Sequence, residues 1–156
     1  MTDTSLREEL AELAAAESGG GEYRGMYDLL VREGETYSPI EVPAELSRRV
    51  ARTPHKCFQR CYSVAIDTGW TYVEGVAVDP GSVWFPVHHA WLTKDGVVAV
   101  DLARPFDSDR EYLGVPIQSS SLAKAATRTG IIGKFLVDLD FLRLGFGPST
   151  LTRARP

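Results

Sequence analysis

The chain has little of the chemistry that most often identifies a protein: two cysteines and three histidines in 156 residues, and 17 Lys and Arg against 21 Asp and Glu. Two cysteines cannot build a disulfide framework, and Cys57 and Cys61, at i and i+4, would share one helical face rather than staple distant segments. Free thiols are expected. A formal charge of -4 with scattered basic residues offers no field for counter-ion release, so nucleic acid is not an expected partner. No apolar run approaches the roughly 20 residues that span a bilayer. The opening MTDTSLREELAELAAAESGGG lacks a basic segment followed by an apolar one, and a cytoplasmic protein without membrane contact is expected. There is no P-loop, dinucleotide fingerprint, EF-hand spacing or internal repeat, and no cofactor is expected.

What is present has globular proportions, 44% hydrophobic and 24% charged, enough for one core. Ser5 and Glu8 form a capping-box pattern, and Leu6, Leu10 and Leu13 recur at helical spacing, predicting a helix over 5–17 that Ser18-Gly19-Gly20-Gly21 ends. The expected organisation is an N-terminal helix and glycine-rich tether over 1–21, one domain over 22–146, and a loose tail over 147–156. On its tether the first helix reads as a mobile arm or docking element outside the core.

Helices are predicted over 25–33 and 43–52, and a third from near His55 that carries Cys57, Phe58, Cys61, Val64 and Ala65 inward until Gly69. Strands are predicted over 71–78, 83–93 and 97–102, with 112–117 as an edge strand because of Pro116. Leu122–Thr127 reads as helix, and Ile131–Leu144 fits helix or strand. The order predicts an α+β fold with the cysteine-bearing helix on an antiparallel sheet.

Cysteine acyl-transfer chemistry needs a thiolate, an imidazole in reach and a third group that orients the imidazole. Cys57, near a helix start, gains from the positive end of the helix dipole, which Cys61, one turn deeper, does not. Only one of His88 and His89 can face that helix, since strand side chains alternate. A three-residue turn at Lys94-Asp95-Gly96, with Gly96 left-handed, pairs Thr93 with Val97 and sets His89 opposite Asp101. A four-residue loop would choose His88 instead. Gly96 favours the first.

The segments Lys56-Cys57-Phe58, Tyr72–Ala77, His89-Ala90-Trp91, Asp95-Gly96 with Asp101, and Tyr112–Pro116 resemble the transglutaminase-like and papain-like cysteine-protease superfamily, in particular small phage and bacterial members. The resemblance covers roughly residues 54 to 117. It implies a transglutaminase-like core with Cys57 as nucleophile, His89 as general base and acid, and Asp101 as orienter. It departs at Asp101-Leu102-Ala103, where Asp-Pro-Thr is usual, at Val76, where an aromatic is common, and at Cys61, where a small residue is expected.

The expected function is cysteine-dependent acyl transfer or hydrolysis on a carboxamide or peptide bond, with a protein or peptide as substrate. The backbone N–H of Cys57 is the first oxyanion donor, with Gln59 or Trp91 as a supplement. Trp70, Tyr72, Trp84, Phe85 and Trp91 are either cleft walls or core. Two other readings compete: a catalytically idle member of the fold that binds or inhibits a host protein, and a zinc site of His55, Cys57, Cys61 and one of His88 or His89, whose spacing matches no common zinc signature.

Overall fold

A computed structural model describes residues 5–50, 57–81, 83–130 and 133–145. The sequence from 146 onward, including the predicted tail, and His55 lie outside the described residues. Among the described residues there are six α-helices and five strands: α1 (Leu6–Ala15), α2 (Met26–Glu33), β1 (Glu35–Ile40), α3 (Ala44–Val50), α4 (Cys57–Thr68), β2 (Thr71–Val78), β3 (Val87–Thr93), β4 (Val98–Val100), β5 (Glu111–Ile117), α5 (Ser119–Thr129) and α6 (Leu139–Leu144). A 3-10 turn, Phe135–Val137, precedes α6. The fold is α+β, as the order of elements predicts.

The sheet differs from the predicted antiparallel one. It is a closed mixed barrel in the order β1-β4-β3-β2-β5, with β1 parallel to β4 and antiparallel to β5. The strand that closes it, β1, is the one the sequence conceals: Tyr37 is its only buried residue and Pro39 interrupts its pattern. Closure makes β5 an interior strand rather than an edge. Pro116 is tolerated there because β1 pairs with β5 only over Tyr112–Gly114, so its missing N–H breaks no bond to that strand.

Each strand contributes one face to the barrel interior, filled by Tyr37, Val73, Ala77, Trp91, Ala99 and Tyr112. The outer face of β2, β3 and β5 carries the main core, in which Tyr72, Val76, Ala90, Leu92, Leu113 and Val115 meet Cys61, Val64 and Ala65 of α4. The helix α1 belongs to this core. Its capping box forms as predicted, Leu6 and Leu10 are buried against α2, and Arg7 hydrogen-bonds the carbonyls of Val31 and Gly34. The glycine stretch after it is tied by a bond from Gly19 N–H to the Arg24 carbonyl, so the first helix is docked and not a free arm.

The β3–β4 connection departs from the predicted bulged turn. Gly96 is left-handed, with φ of 81°, as expected, but the Asp95 carboxylate accepts from the N–H groups of Val97 (2.8 Å) and Val98 (3.1 Å). Those amides are withheld from the ladder, β4 starts only at Val98, and Leu92 pairs with Val100. Thr93 therefore does not face Val97. The register is moved by two residues, which by the two-residue period of a strand leaves every side chain on its predicted face.

Candidate active site

Near one end of the barrel, where β3 and β5 begin and β2 and β4 finish, the three predicted residues come together. His89 and Asp101 are almost fully buried, and His89 Nε2 lies 2.7 Å from Asp101 Oδ2. The Cys57 thiol lies beside the His89 ring, close enough that each group favours the charged form of the other. Because Nε2 is occupied by Asp101, Nδ1 is the nitrogen left for the sulfur.

The helix reaches β3 where β4 has stopped. Beyond the Leu92–Val100 pair, the start of β3 has no described strand on that side, and α4 fills the place. Ala90 serves both cysteines: its carbonyl accepts from Cys61 Sγ at 3.4 Å, and its N–H favours the ionised form of Cys57. The Phe58 N–H likewise favours the ionised Cys57. Cys61, fully buried, is thus a stitch between α4 and β3, and burial raises its thiol well above the ordinary range.

Charge follows geometry. Burial alone would raise the Cys57 thiol, but the His89 bond and charge, with the two backbone N–H groups, bring it below its ordinary value. Burial presses the His89 imidazole down, yet its bonds to Asp101 and Cys57 outweigh that and raise it. Asp101 is opposed by burial and favoured by His89, by Ala103 N–H (2.9 Å) and by Tyr112 Oη (2.9 Å), and the net effect is a lowered carboxyl. A lowered thiol beside a raised imidazole favours a thiolate–imidazolium pair.

Asp101 is itself held by residues the sequence did not single out. Tyr112 donates to it from β5, and Arg110 Nη1 stands 3.9 Å away, while Arg110 Nε bonds Asp79 at 2.5 Å. Tyr112 lies in a segment that carries the resemblance but shows no polar role by spacing alone. Once β5 is placed beside β2, its inward face points to Asp101.

Glycines let β2 and β5 approach closely at the rung of His89. Gly75 pairs with His89 on one side and with Gly114 on the other, so two neighbouring strands present no side chain inward at that rung. A Cβ on Gly75 would come 2.1 Å from the Leu113 carbonyl oxygen, and one on Gly114 would come 2.7 Å from the Trp91 ring.

The supplementary candidates separate. Trp91 is fully buried inside the barrel, edge-on to Tyr37 and Tyr112, on the same inward face as His89 but one rung deeper. Tyr72 is fully buried in the outer core, and its hydroxyl is committed to Glu74 at 2.6 Å. Gln59 stays half-buried on α4, two residues from Cys57. Trp70 is buried under Lys94, Trp84 packs on the main core, and Phe85 is exposed. His88 points to the outer face, where its Nε2 meets the fully buried Glu74 carboxyl at 2.8 Å and its ring packs edge-on to Phe58. No group of three or more His, Cys, Asp or Glu side chains among the described residues could hold a metal ion. No described helix is long and apolar enough to cross a membrane.

Comparison with models of known families, with curated proteins and with solved structures returns no match.

Proposed function

We propose that the protein is a cysteine acyl-transfer enzyme with a transglutaminase-like core, acting on a carboxamide or peptide bond of a protein or peptide. The single observation that carries this reading is the juxtaposition of three groups: His89 bonded to the Asp101 carboxylate at 2.7 Å and electrostatically coupled to the Cys57 thiol. In this mechanism the Cys57 thiolate attacks the carbonyl carbon, and backbone amides at the start of α4 stabilise the developing oxyanion. The His89 imidazolium gives its Nδ1 proton to the departing amine as the C–N bond breaks, leaving a Cys57 thioester. Water or an acceptor amine, deprotonated by His89, then resolves the thioester. Asp101 keeps Nε2–H engaged throughout and so fixes which nitrogen faces the sulfur.

The test is a model acyl donor, p-nitrophenyl acetate. A burst of nitrophenol with a hydroxylamine-sensitive acetyl group on Cys57, absent in His89→Ala, is expected. Iodoacetamide should likewise label Cys57 at neutral pH faster than a free thiol. Equal and slow labelling of Cys57 and Cys61, with no burst, would overturn the reading and leave a scaffold used for binding.

A further inference from the structure

We propose that Cys57 and Cys61 form a reversible oxidative modification site, an intrahelical disulfide that withdraws Cys57 from His89. The inference rests on the acyl-transfer reading only in its first step, which needs the Cys57 thiolate.

The two sulfurs are gathered on one strand residue. Ala90 accepts from Cys61 Sγ at 3.4 Å, and its N–H acts on Cys57, whose ionised form it favours. The N–H and C=O of a single extended residue point to the same side of a strand, so both thiols are directed to one short stretch of the β3 edge. Residues at i and i+4 of a helix have Cα atoms about 6.2 Å apart, inside the 4.4 to 6.8 Å window of disulfides. Their Cβ atoms, about 5 to 6 Å apart, must approach to roughly 4.5 Å or less, so the helix must yield. It yields most easily at Cys57, in the first described turn of α4, because Cys61 is fully buried and packed among Val64, Ala65 and Ala90. The movement that makes the bond is therefore movement of Cys57 off the imidazole.

Exposure orders the chemistry. Cys57 is partly exposed and Cys61 is inaccessible, so a hydroperoxide meets Cys57 first. The Cys57 thiolate attacks one peroxide oxygen, the O–O bond breaks, and hydroxide leaves, giving the sulfenic acid. Cys61 sulfur then attacks the Cys57 sulfur, and the sulfenic hydroxyl departs with the Cys61 proton as water. In sum, two thiols lose two electrons to one peroxide, with two waters formed. A bond made across a helical turn is strained, and strained disulfides are readily reduced. Oxidation would thus be reversible and would spare Cys57 from irreversible sulfinic acid.

Trypsin provides the readout, because Lys56 and Arg60 bracket Cys57 and the next site after Cys61 is Lys94. Full-length protein treated with stoichiometric hydrogen peroxide, blocked with iodoacetamide and digested without reductant should yield the Cys57–Arg60 peptide joined to the Cys61–Lys94 peptide. Dithiothreitol should separate them and restore the nitrophenol burst. In Cys61→Ala and Cys61→Ser the join must vanish at one equivalent of peroxide, and at two or more equivalents Cys57 must gain two oxygens. Wild-type Cys57 passing to sulfinic acid as fast as these variants, with no joined peptide, would overturn the inference while leaving acyl transfer intact. Failure of Cys57 to react with either peroxide or iodoacetamide would overturn both.

Discussion

His89 Nε2 lies 2.7 Å from Asp101 Oδ2, although the two residues are not partners across the β3–β4 pair. One step from the Leu92–Val100 pair places Trp91, not His89, opposite Asp101. His89 reaches the carboxylate as a diagonal neighbour on the same inward face, a distance that a ring and a carboxylate can span together. Tyr112 and the amides of Ala103 and Arg104 hold the carboxylate in place for it.

If this carboxylate orients His89, its removal should act on rate through the imidazole. Asp101→Ala is expected to lower the acylation rate with p-nitrophenyl acetate by about 10²- to 10⁴-fold. Asp101→Asn, whose amide oxygen can still accept from Nε2–H, should lose less. The midpoint of Cys57 alkylation against pH should move upward in Asp101→Ala, toward the free-thiol value near 8.5. A rate loss without any change in that midpoint would reduce Asp101 to a structural support.

The same pair makes stability depend on pH, with opposite signs at the two ends. The Asp101 carboxyl is lowered in the folded chain, so its contribution is present above the unfolded value of about 3.9 and is lost as pH falls through the folded value. His89 is raised, so its contribution is present below about 6.5 and is lost as pH rises through the folded value. Urea titrations of wild type and Asp101→Asn should differ by about 1.5 to 3 kcal/mol near pH 5 to 6. The gap should close as the medium is acidified below about pH 4. A gap that stays constant to strong acid would contradict the ionised state of Asp101.

The pattern of what the sequence disclosed has a physical basis. The helix α4, its end at left-handed Gly69 and the strand β2 follow from periodicity and breakers, and all lie where predicted. The sequence favours His89 on the inward face even though the observed turn differs from the expected one, because a difference of two residues preserves strand parity whereas a difference of one would bring in His88. The difference comes from Asp95, whose side chain captures two backbone amides. The barrel was not legible for a different reason. Closure depends on β1, whose inward side is almost wholly Tyr37, and on a parallel pairing with β4 that no local signal announces. The roles of Tyr112 and Arg110 are equally illegible, since their partners are set by the long-range pairing of β5 with β2.

Gly114 tests whether the barrel interior is as tight as its glycine rung implies. Its added methyl would sit 2.7 Å from the Trp91 ring, which is fully buried and has Tyr37 and Tyr112 against it. Gly114→Ala should destabilise the fold by about 1 to 3 kcal/mol, the usual cost of overpacking, and lower the melting temperature by several degrees. Gly114→Ala combined with Trp91→Phe should recover part of the loss, because the smaller ring vacates the clash. An additive double variant would mean that the two positions do not share the strain.

Glu74 tests the outer face. Its carboxyl is fully buried and takes four partners: Tyr72 Oη, His88 Nε2, and the N–H groups of Phe135 (3.0 Å) and Leu136 (3.0 Å). Through the last two it secures the 3-10 turn against β2, beside the Gly133–Phe58 contact next to Cys57. Glu74→Ala would strand several buried donors at about 1 to 3 kcal/mol each before relaxation, so the segment around 133–137 should loosen more than the fold as a whole. Hydrogen exchange should show the Phe135 and Leu136 amides losing protection in this variant while those of β2 and β3 keep most of theirs. Because Cys57, His89 and Asp101 draw on the inner face and the β3 edge, Cys57 alkylation should change far less than in His89→Ala. Uniform loss of protection across the barrel would instead make Glu74 a keystone of the global fold.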